Sequence, residues 1–207
     1  MDASLPTKQV RQLVLASSSP RRRDLVASLD LSLPVLILST DADEQTPPDW
    51  SPSRIVEQLA LRKARAAVPM LGGHDADRSL IIGADTIVVV DGDVLGKPVD
   101  EQDALRMLTR LQGREHHVYT GVACLETSSG RELVRYRMTR VAMKPLDQDR
   151  MKRYVATGEP LDKAGSYAIQ GLGATLVDRL DGCYFNVVGL PLSLLSEMLS
   201  AFGVEVI

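Results

Sequence analysis

The chain lacks the cysteines that a secreted disulfide scaffold needs. Only two occur among 207 residues, Cys124 and Cys183, and their separation does not match a metal-binding motif. We therefore expect two ordinary thiols in a reducing compartment. The N-terminus is polar and has no apolar run typical of a signal peptide. By elimination, the predicted compartment is the cytoplasm.

Long hydrophobic runs are also missing. The most apolar stretches, residues 31–38 and 80–90, are interrupted by Pro34 and by Asp85. Both stretches are shorter than the roughly 20 residues that a membrane-spanning helix requires. The sequence therefore predicts no membrane segment and no membrane partner.

There is no excess of positive charge. Lys and Arg number 24 against 27 Asp and Glu, which gives a formal net charge of −3. Such a chain has no overall attraction to nucleic acid or to an anionic membrane, and it has no stripe of aromatic and basic residues. Any positive charge that binds phosphate must therefore be local.

What the chain does contain is a regular interleaving of strand and helix patterns. Apolar runs and alternation predict strands at residues 13–16, 34–38, 80–90, 94–95, 117–126 and 132–143, with short ones around residues 167 and 176 and through residue 187. Helical spacing and capping residues predict helices at residues 20–29, 52–68, 100–111, 147–156 and 191–202. This order favours an α/β fold, and the hairpins require a mixed sheet. We expect a single domain over residues 1–207, of which residues 1–12 form a loose N-terminal extension.

Three consecutive arginines, Arg21 to Arg23, stand in the first turn of the first predicted helix, after a serine-rich stretch that includes Ser17. Positive side chains at that end oppose the helix dipole. A local rule broken in this way is typical of a functional site. Free backbone N–H groups, hydroxyls and guanidinium groups together suit a polyphosphate. The alternative is an exposed basic face that tolerates the penalty.

Asp85 lies inside an otherwise apolar predicted strand. A buried carboxylate is costly unless it binds a cation or accepts several hydrogen bonds. Lys97 follows the next hairpin and could return towards Asp85. The alternative is a structural carboxylate that caps a neighbouring turn.

Further polar residues stand out against their surroundings. Lys63 falls on the apolar face of the second predicted helix, where it either buries its stem with the ammonium at the core edge or contacts a phosphate. Residues 159–173 form a polar segment whose Gln170 offers a donor and an acceptor to a base edge. His116 and His117 have no Cys or His partner at ligand spacing, so no zinc site is predicted.

At these same residues the sequence resembles the Maf family. The matching motifs, in order and spacing, are Leu15–Arg22, Lys63–Ala64, Gly83–Thr86, Gly96–Pro98, Tyr119–Gly121, Glu159–Gly173 and Asn186–Pro191. They cover about residues 13 to 202. The resemblance implies an α/β fold like that of inosine triphosphate pyrophosphatases, with a long curved mixed sheet and two lobes around a central cleft.

The resemblance also implies an activity, the cleavage of a nucleoside triphosphate into a monophosphate and pyrophosphate with the help of Mg²⁺ or Mn²⁺. Asp85 then corresponds to the catalytic proton acceptor and, together with Glu44, to the carboxylates that hold the metal. The positions that match phosphate-binding residues of the family are Ser17, Arg22, Lys63 and Lys97. The family further suggests a homodimer.

Three positions bear on the choice of base. The branch of the family that prefers a 7-methylated guanine nucleotide carries Trp, Gln and Glu where this chain has Arg21, Thr86 and Gln170. These three residues match the other branch, which favours dTTP, UTP and their modified forms. A glutamine can both donate and accept, as the edge of uracil or thymine requires. The sequence therefore predicts a preference for these pyrimidine nucleotides.

Two interpretations from other functional classes compete with this one. A nucleotide-binding regulator of cell division without significant catalysis would need the phosphate-binding residues but not Asp85. A nucleic-acid-binding module conflicts with the net charge of −3. Pyrophosphate release with and without metal separates the three.

Overall fold

The computed structural model describes residues 9–73 and 76–207. The strands are β1 (Gln12–Ala16), β2 (Val35–Leu38), β3 (Ser79–Val90), β4 (Asp93–Leu95), β5 (Glu115–Glu126), β6 (Glu132–Met143) and β7 (Val177–Asp181). The helices are α1 (Pro20–Ala27), α2 (Pro52–Ala67), α3 (Glu101–Leu111), α4 (Gln148–Val155), α5 (Tyr184–Val188) and α6 (Leu192–Ser200). Short 3-10 turns lie at Val68–Met70, Ala76–Arg78, Glu159–Asp162, Ala164–Ser166 and Gly171–Leu176.

The strands form one seven-stranded sheet in the order β2-β1-β3-β5-β6-β7, with β4 paired to β3 outside this path. Strand β1 runs parallel to β2 and β3, whereas the remaining pairs are antiparallel. The predicted α/β fold with a mixed sheet is therefore confirmed. In the register, Ala16 lies beside Gly83, so the chain leaves β1 two positions before Asp85 on the neighbouring strand.

Helix α2 packs closely on one face of the sheet because two glycines of the sheet have no side chain in the way of its backbone. A Cβ added at Gly83 would lie 2.1 Å from the carbonyl oxygen of Ala60, and one added at Gly121 would lie 2.2 Å from that of Val56. Side chains cannot approach backbone atoms so closely, since these separations fall well inside van der Waals contact. The glycines thus hold α2 over the middle of β3 and β5.

The opposite face of the sheet is covered by two separate apolar clusters. One packs α6 against the sheet and includes Leu13, Leu80, Ile82, Ala84, Leu195, Met198 and Leu199. The other packs α3 and α4 against it and includes Val88, Val118, Val141, Leu108, Leu111, Met151 and Val155. Successive residues on one face of a strand are two apart, so Thr86 lies between the two clusters. The clusters form two lobes with a polar gap between them.

Two predicted strands are wrong because tertiary contacts and backbone geometry override propensity. The β-branched run through residue 187 belongs to helix α5, in which Asn186 donates side-chain hydrogen bonds to the carbonyl of Val118 and the hydroxyl of Thr139, both at 3.0 Å. The segment around residue 167 belongs to none of the described strands, and the φ angles of 70° and 59° at Gly165 and Ser166 interrupt the extended backbone just before it.

Other boundaries also shift. Residue 176 ends a 3-10 turn, and the strand predicted there begins instead at Val177. The predicted loose extension is wrong at its end, because Val10 is buried against the core and Gln12 opens β1. Its residues 1–8 lie outside the described part of the chain.

Both cysteines are free thiols. Burial raises the pKa of Cys124 to about 12, so this thiol is unreactive at neutral pH. Within residues 9–73 and 76–207, no helix is long and apolar enough to cross a membrane.

Candidate active site

A cavity of about 780 Å³ opens at residues 85–88 of β3, and its lining includes residues of helix α2 as well as residues of the lobes. Its volume lies in the range of small-molecule sites. It is lined by every site residue that the sequence predicts, namely Ser17, Arg21, Arg22, Glu44, Lys63, Asp85, Thr86, Lys97 and Gln170. These residues come from seven separate segments of the chain, so the fold brings them together.

The centre of the site is a lysine shared by two carboxylates. The Nζ of Lys63 lies 2.5 Å from Oδ1 of Asp85 and 2.8 Å from Oε1 of Glu44. Asp85 is buried on β3, whereas Glu44 lies on an irregular loop with 61% of its side chain exposed. The hydrogen bond from Lys63 lowers the pKa of Glu44, and the charge of Lys97 adds to this shift. Glu44 is therefore ionised at neutral pH.

This pairing gives Lys63 and Asp85 partners that the sequence did not predict, and the phosphate contact of Lys63 stays a prediction. The lysine stem lies on the apolar face of α2, and its ammonium reaches a buried acid rather than open solvent. Asp85 accepts this charged hydrogen bond and does not act as the cap of a turn among the described contacts. Lys97 lines the same cavity but makes no described bond to Asp85.

The donor set suits a divalent cation bound together with a triphosphate. The described residues contain no cluster of three or more His, Cys, Asp or Glu that could cage a metal alone. Mg²⁺ is nevertheless usually held by one or two carboxylates, with substrate phosphates and water completing the coordination. Glu44 and Asp85 converge on one cationic group, so they could supply such a pair of ligands.

Arg22 is fixed by two neighbours, one directly after helix α5 and one on strand β3. Its Nε donates to the carbonyl of Gly189 at 2.8 Å, and its Nη2 donates to the hydroxyl of Thr86 at 3.0 Å. Burial lowers the pKa of Arg22, which the charge of Asp85 opposes. A guanidinium titrates far above neutrality, so Arg22 remains a cation aimed into the cleft.

Thr86 is the next member of this network. Its hydroxyl lies 2.9 Å from that of Thr120, which in turn donates to the carbonyl of Asn186 at 2.9 Å. Thr86 therefore donates to Thr120 and accepts from Arg22. The described contacts give Thr86 the role of orienting Arg22, and its predicted influence on the base stays a prediction.

The other two arginines of the run, and the serine before it, lie in different surroundings. Arg21 pairs with Asp162 at 3.7 Å, and Arg23 is exposed. The buried hydroxyl of Ser17 accepts from the backbone N–H of Ser19 at 3.2 Å. The basic run is thus divided, and only its middle residue turns towards the sheet.

Gln170 lines the cavity directly before the 3-10 turn Gly171–Leu176. Among the described residues its side chain has no hydrogen-bond partner, although it is only half-exposed. The following turn is held by Glu159, whose carboxylate accepts from the backbone N–H groups of Leu172 at 3.0 Å and Gly173 at 2.8 Å. The hydroxyl of Tyr154 donates to the same carboxylate at 2.9 Å. A free amide on a fixed backbone is suited to recognising a ligand.

Comparisons with known proteins identify the family of this chain. The family model described as Maf-like protein matches residues 12–202. The chain belongs to the Maf family. A protein of Pelotomaculum thermopropionicum named dTTP/UTP pyrophosphatase is 50% identical over 198 residues, which is 96% of this chain and all of that protein. Proteins with the same name from Moorella thermoacetica and Dictyoglomus thermophilum are 52% and 41% identical, over 94% and 93% of this chain and 97% of each relative.

Some residues of this Maf site were not predicted individually. Thr120, Asn186 and the carbonyl of Gly189 complete the Arg22 network, although the motifs that contain them were recognised. The signal for Thr120 was a polar residue at the centre of a long apolar strand. The carbonyl of Gly189 carried no signal, because a backbone acceptor is defined only by the fold.

A buried hydrogen bond at the cavity wall was not predicted either. His116 is buried, and its Nε2 lies 2.7 Å from the hydroxyl of Tyr167, which lines the cavity three residues before Gln170. The Nδ1 of the same ring is buried without a partner in the described structure. The sequence showed only that His116 lacks a zinc partner, so its bond to Tyr167 could not be anticipated.

Proposed function

We propose that this protein hydrolyses dTTP and UTP, and modified pyrimidine nucleoside triphosphates, to the monophosphate and pyrophosphate. The observation that carries the proposal is the convergence of Asp85 and Glu44 on Lys63, in a cavity that also presents Arg22 and Lys97. The cavity therefore combines carboxylates that suit a metal ion and an activated water with cationic groups that suit phosphates. The names of the relatives, which are 41% to 52% identical, support the same activity.

The reaction requires water to attack the α-phosphorus. Asp85 accepts the proton from this water. Its Oδ1 accepts a hydrogen bond from Lys63, whereas its Oδ2 has no described partner and is free to take up the proton. As the new oxygen–phosphorus bond forms, the bond between the α-phosphorus and the bridging oxygen breaks, and pyrophosphate leaves with the electron pair. Arg22, Lys63 and Lys97 bind the phosphate oxygens, on which negative charge accumulates. Ser17 lines the same cavity and adds a hydroxyl.

Mg²⁺ or Mn²⁺ is the proposed cofactor, held by Glu44 and Asp85. When bound, such a cation polarises phosphoryl oxygens and favours ionisation of a neighbouring water. In the free protein Lys63 contacts both carboxylates, so its ammonium offsets one of their two negative charges. We therefore expect its ammonium to shift towards the phosphates when the cation and the nucleotide bind.

Base selectivity is assigned to Gln170, assisted by Arg21 and Thr86. The amide of Gln170 can both donate to and accept from a pyrimidine edge, whereas two adjacent donors of guanine would oppose its NH₂ group. One buried mismatch of this kind costs about 1–3 kcal/mol. That is roughly ten- to a hundredfold in kcat/KM, since about 1.4 kcal/mol corresponds to a factor of ten.

The setting of this activity is also part of the proposal. Free thiols at both cysteines agree with a reducing cytoplasm. A homodimer, and the absence of a nucleic-acid partner, stay predictions. Size-exclusion chromatography with light scattering reports the first, and an electrophoretic shift assay reports the second.

A substrate panel tests the proposal. Pyrophosphate release is measured for dTTP, UTP, the other common triphosphates and 7-methyl-GTP, each with Mg²⁺, with Mn²⁺ and with a chelator. We expect metal-dependent release that is fastest with dTTP and UTP and poor with 7-methyl-GTP. Nucleotide binding without turnover would instead support the regulator of cell division, and a preference for 7-methyl-GTP would contradict the assignment of Gln170.

A further inference from the structure

Arg62 makes an unusual contact with the loop that carries Glu44. Its Nη1 donates to the carbonyl oxygen of Asp43 at 3.1 Å and to that of Gln45 at 2.6 Å. These two carbonyls flank Glu44 on either side, and Arg62 directly precedes Lys63 on helix α2. One guanidinium therefore holds the backbone on both sides of the carboxylate that contacts Lys63.

The same guanidinium is itself held in place by Trp50, the single tryptophan of the chain. The Cζ of Arg62 lies 5.7 Å from the centre of the Trp50 ring, and that of Arg54 lies 4.7 Å from it. Both distances fall within the range of cation–π attraction. Trp50 also lines the cavity, so the stacked group extends from α2 to the site.

This anchoring matters because the loop itself forms no regular element, and the contact between Glu44 and Lys63 holds only the side chain. Residues 39–51 contain neither helix nor strand, and the Glu44 side chain is largely exposed. An unanchored loop must be ordered when its carboxylate binds a cation, and this ordering weakens binding. A loop whose backbone is already fixed avoids most of that cost.

We propose that Arg62 is a positioning residue, which preorganises Glu44 for the cation and thereby sets the affinity for metal rather than the rate of the chemical step. The proposal rests on the proposed function for the role of Glu44. Arg62 does not line the cavity and acts through the backbone of residues 43–45. Its removal should thus change the metal dependence and leave the maximal rate in place.

The first experiment is a Mn²⁺ titration of dTTP hydrolysis by the wild type and by Arg62→Ala. We expect the Mn²⁺ concentration for half-maximal activity to rise at least about tenfold, because the variant loses both charged hydrogen bonds to the loop backbone. The kcat at saturating Mn²⁺ should stay within about twofold, and Arg62→Lys should recover part of the affinity. Arg54→Ala is the matched control, because Arg54 stacks on the same ring without a described bond to the loop carbonyls.

The second experiment tests whether Arg62 acts through Glu44. In a double-mutant cycle, Arg62→Ala should add no further loss of metal affinity once Glu44→Gln is present, since coupled residues are non-additive. Binding is read without turnover, from the electron paramagnetic resonance signal of free Mn²⁺ with the α,β-imido analogue of dUTP. Additive losses, or an Arg62→Ala titration that overlays the wild type, overturn the proposal.

Different results would contradict the proposed function and the positioning role of Arg62. If the wild type releases no pyrophosphate from dTTP or UTP, the proposed function is wrong, whereas the Mn²⁺ binding cycle still reports on Arg62. If the wild type is active and Arg62→Ala lowers kcat at saturating Mn²⁺ as strongly as at low Mn²⁺, the positioning role is wrong and the function stands. Circular dichroism of each variant confirms that it is folded before either result is interpreted.

Discussion

Acidification should destabilise the fold through one buried histidine. His116 is 1% exposed, its Nε2 is bonded to Tyr167, and its Nδ1 has no partner in the described structure. Burial, with a smaller contribution from the charge of His117, lowers the pKa of His116 to about 4. In the unfolded chain the same ring titrates near its ordinary value of about 6.5.

The direction of the effect follows from proton binding. Between about pH 6.5 and pH 4 the unfolded chain binds a proton at residue 116 and the folded protein does not, so the free energy of unfolding falls as the pH falls. Each unit of pKa difference corresponds to about 1.4 kcal/mol. From about pH 7.5 to pH 5 the contribution of His116 therefore amounts to about 2 kcal/mol.

Urea unfolding at these two pH values measures the effect. Wild type and His116→Gln are compared, because glutamine retains a polar group for Tyr167 and cannot take up a proton. We expect the variant to lose about 2 kcal/mol less than the wild type on acidification. His117→Gln serves as control, since its side chain is only half-buried. Parallel losses in wild type and His116→Gln would refute the reasoning.

Three further predictions concern the site and its frame. Arg22→Ala and Lys97→Ala should each lower kcat/KM for dTTP by at least about tenfold, because each removes a charged contact to phosphate, and steady-state kinetics measure this. Gly83→Ala should cost at least about 2 kcal/mol of unfolding free energy, since its Cβ would lie 2.1 Å from the carbonyl oxygen of Ala60; chemical denaturation tests it. The base-selective variant combines Arg21→Trp, Thr86→Gln and Gln170→Glu. Its kcat/KM ratio should shift from UTP towards 7-methyl-GTP, and an unchanged ratio contradicts the assignment.

Residues that conflict with their local surroundings were the ones that could be predicted. Asp85 in an apolar strand, Lys63 on an apolar helix face and Arg22 at a helix N-terminus each break a local rule, and all three line the cavity. Such conflicts are visible in the sequence because they depend on neighbours within one turn or strand. The resemblance to Maf proteins then supplied the roles, which local patterns alone left open.

The hydrogen-bond partners of these residues in distant parts of the chain could not be predicted. The bond from Lys63 to Asp85 joins residues 22 positions apart, and that from Arg22 to Gly189 joins residues 167 apart. Their distances depend on how closely α2 and the lobes pack, which no local pattern encodes. Helix α5 was missed for the same reason, because the buried hydrogen bonds of Asn186 outweigh the strand propensity of its β-branched neighbours.

The central claim is that Asp85 activates the water that releases pyrophosphate, and one comparison tests it directly. Pyrophosphate release from dTTP with Mg²⁺ is measured for the wild type and for Asp85→Asn, which keeps the side-chain volume and removes the base. We predict a folded variant whose kcat is lower by at least about 10²-fold, the usual contribution of a general base. A folded Asp85→Asn protein with nearly wild-type turnover would contradict the account.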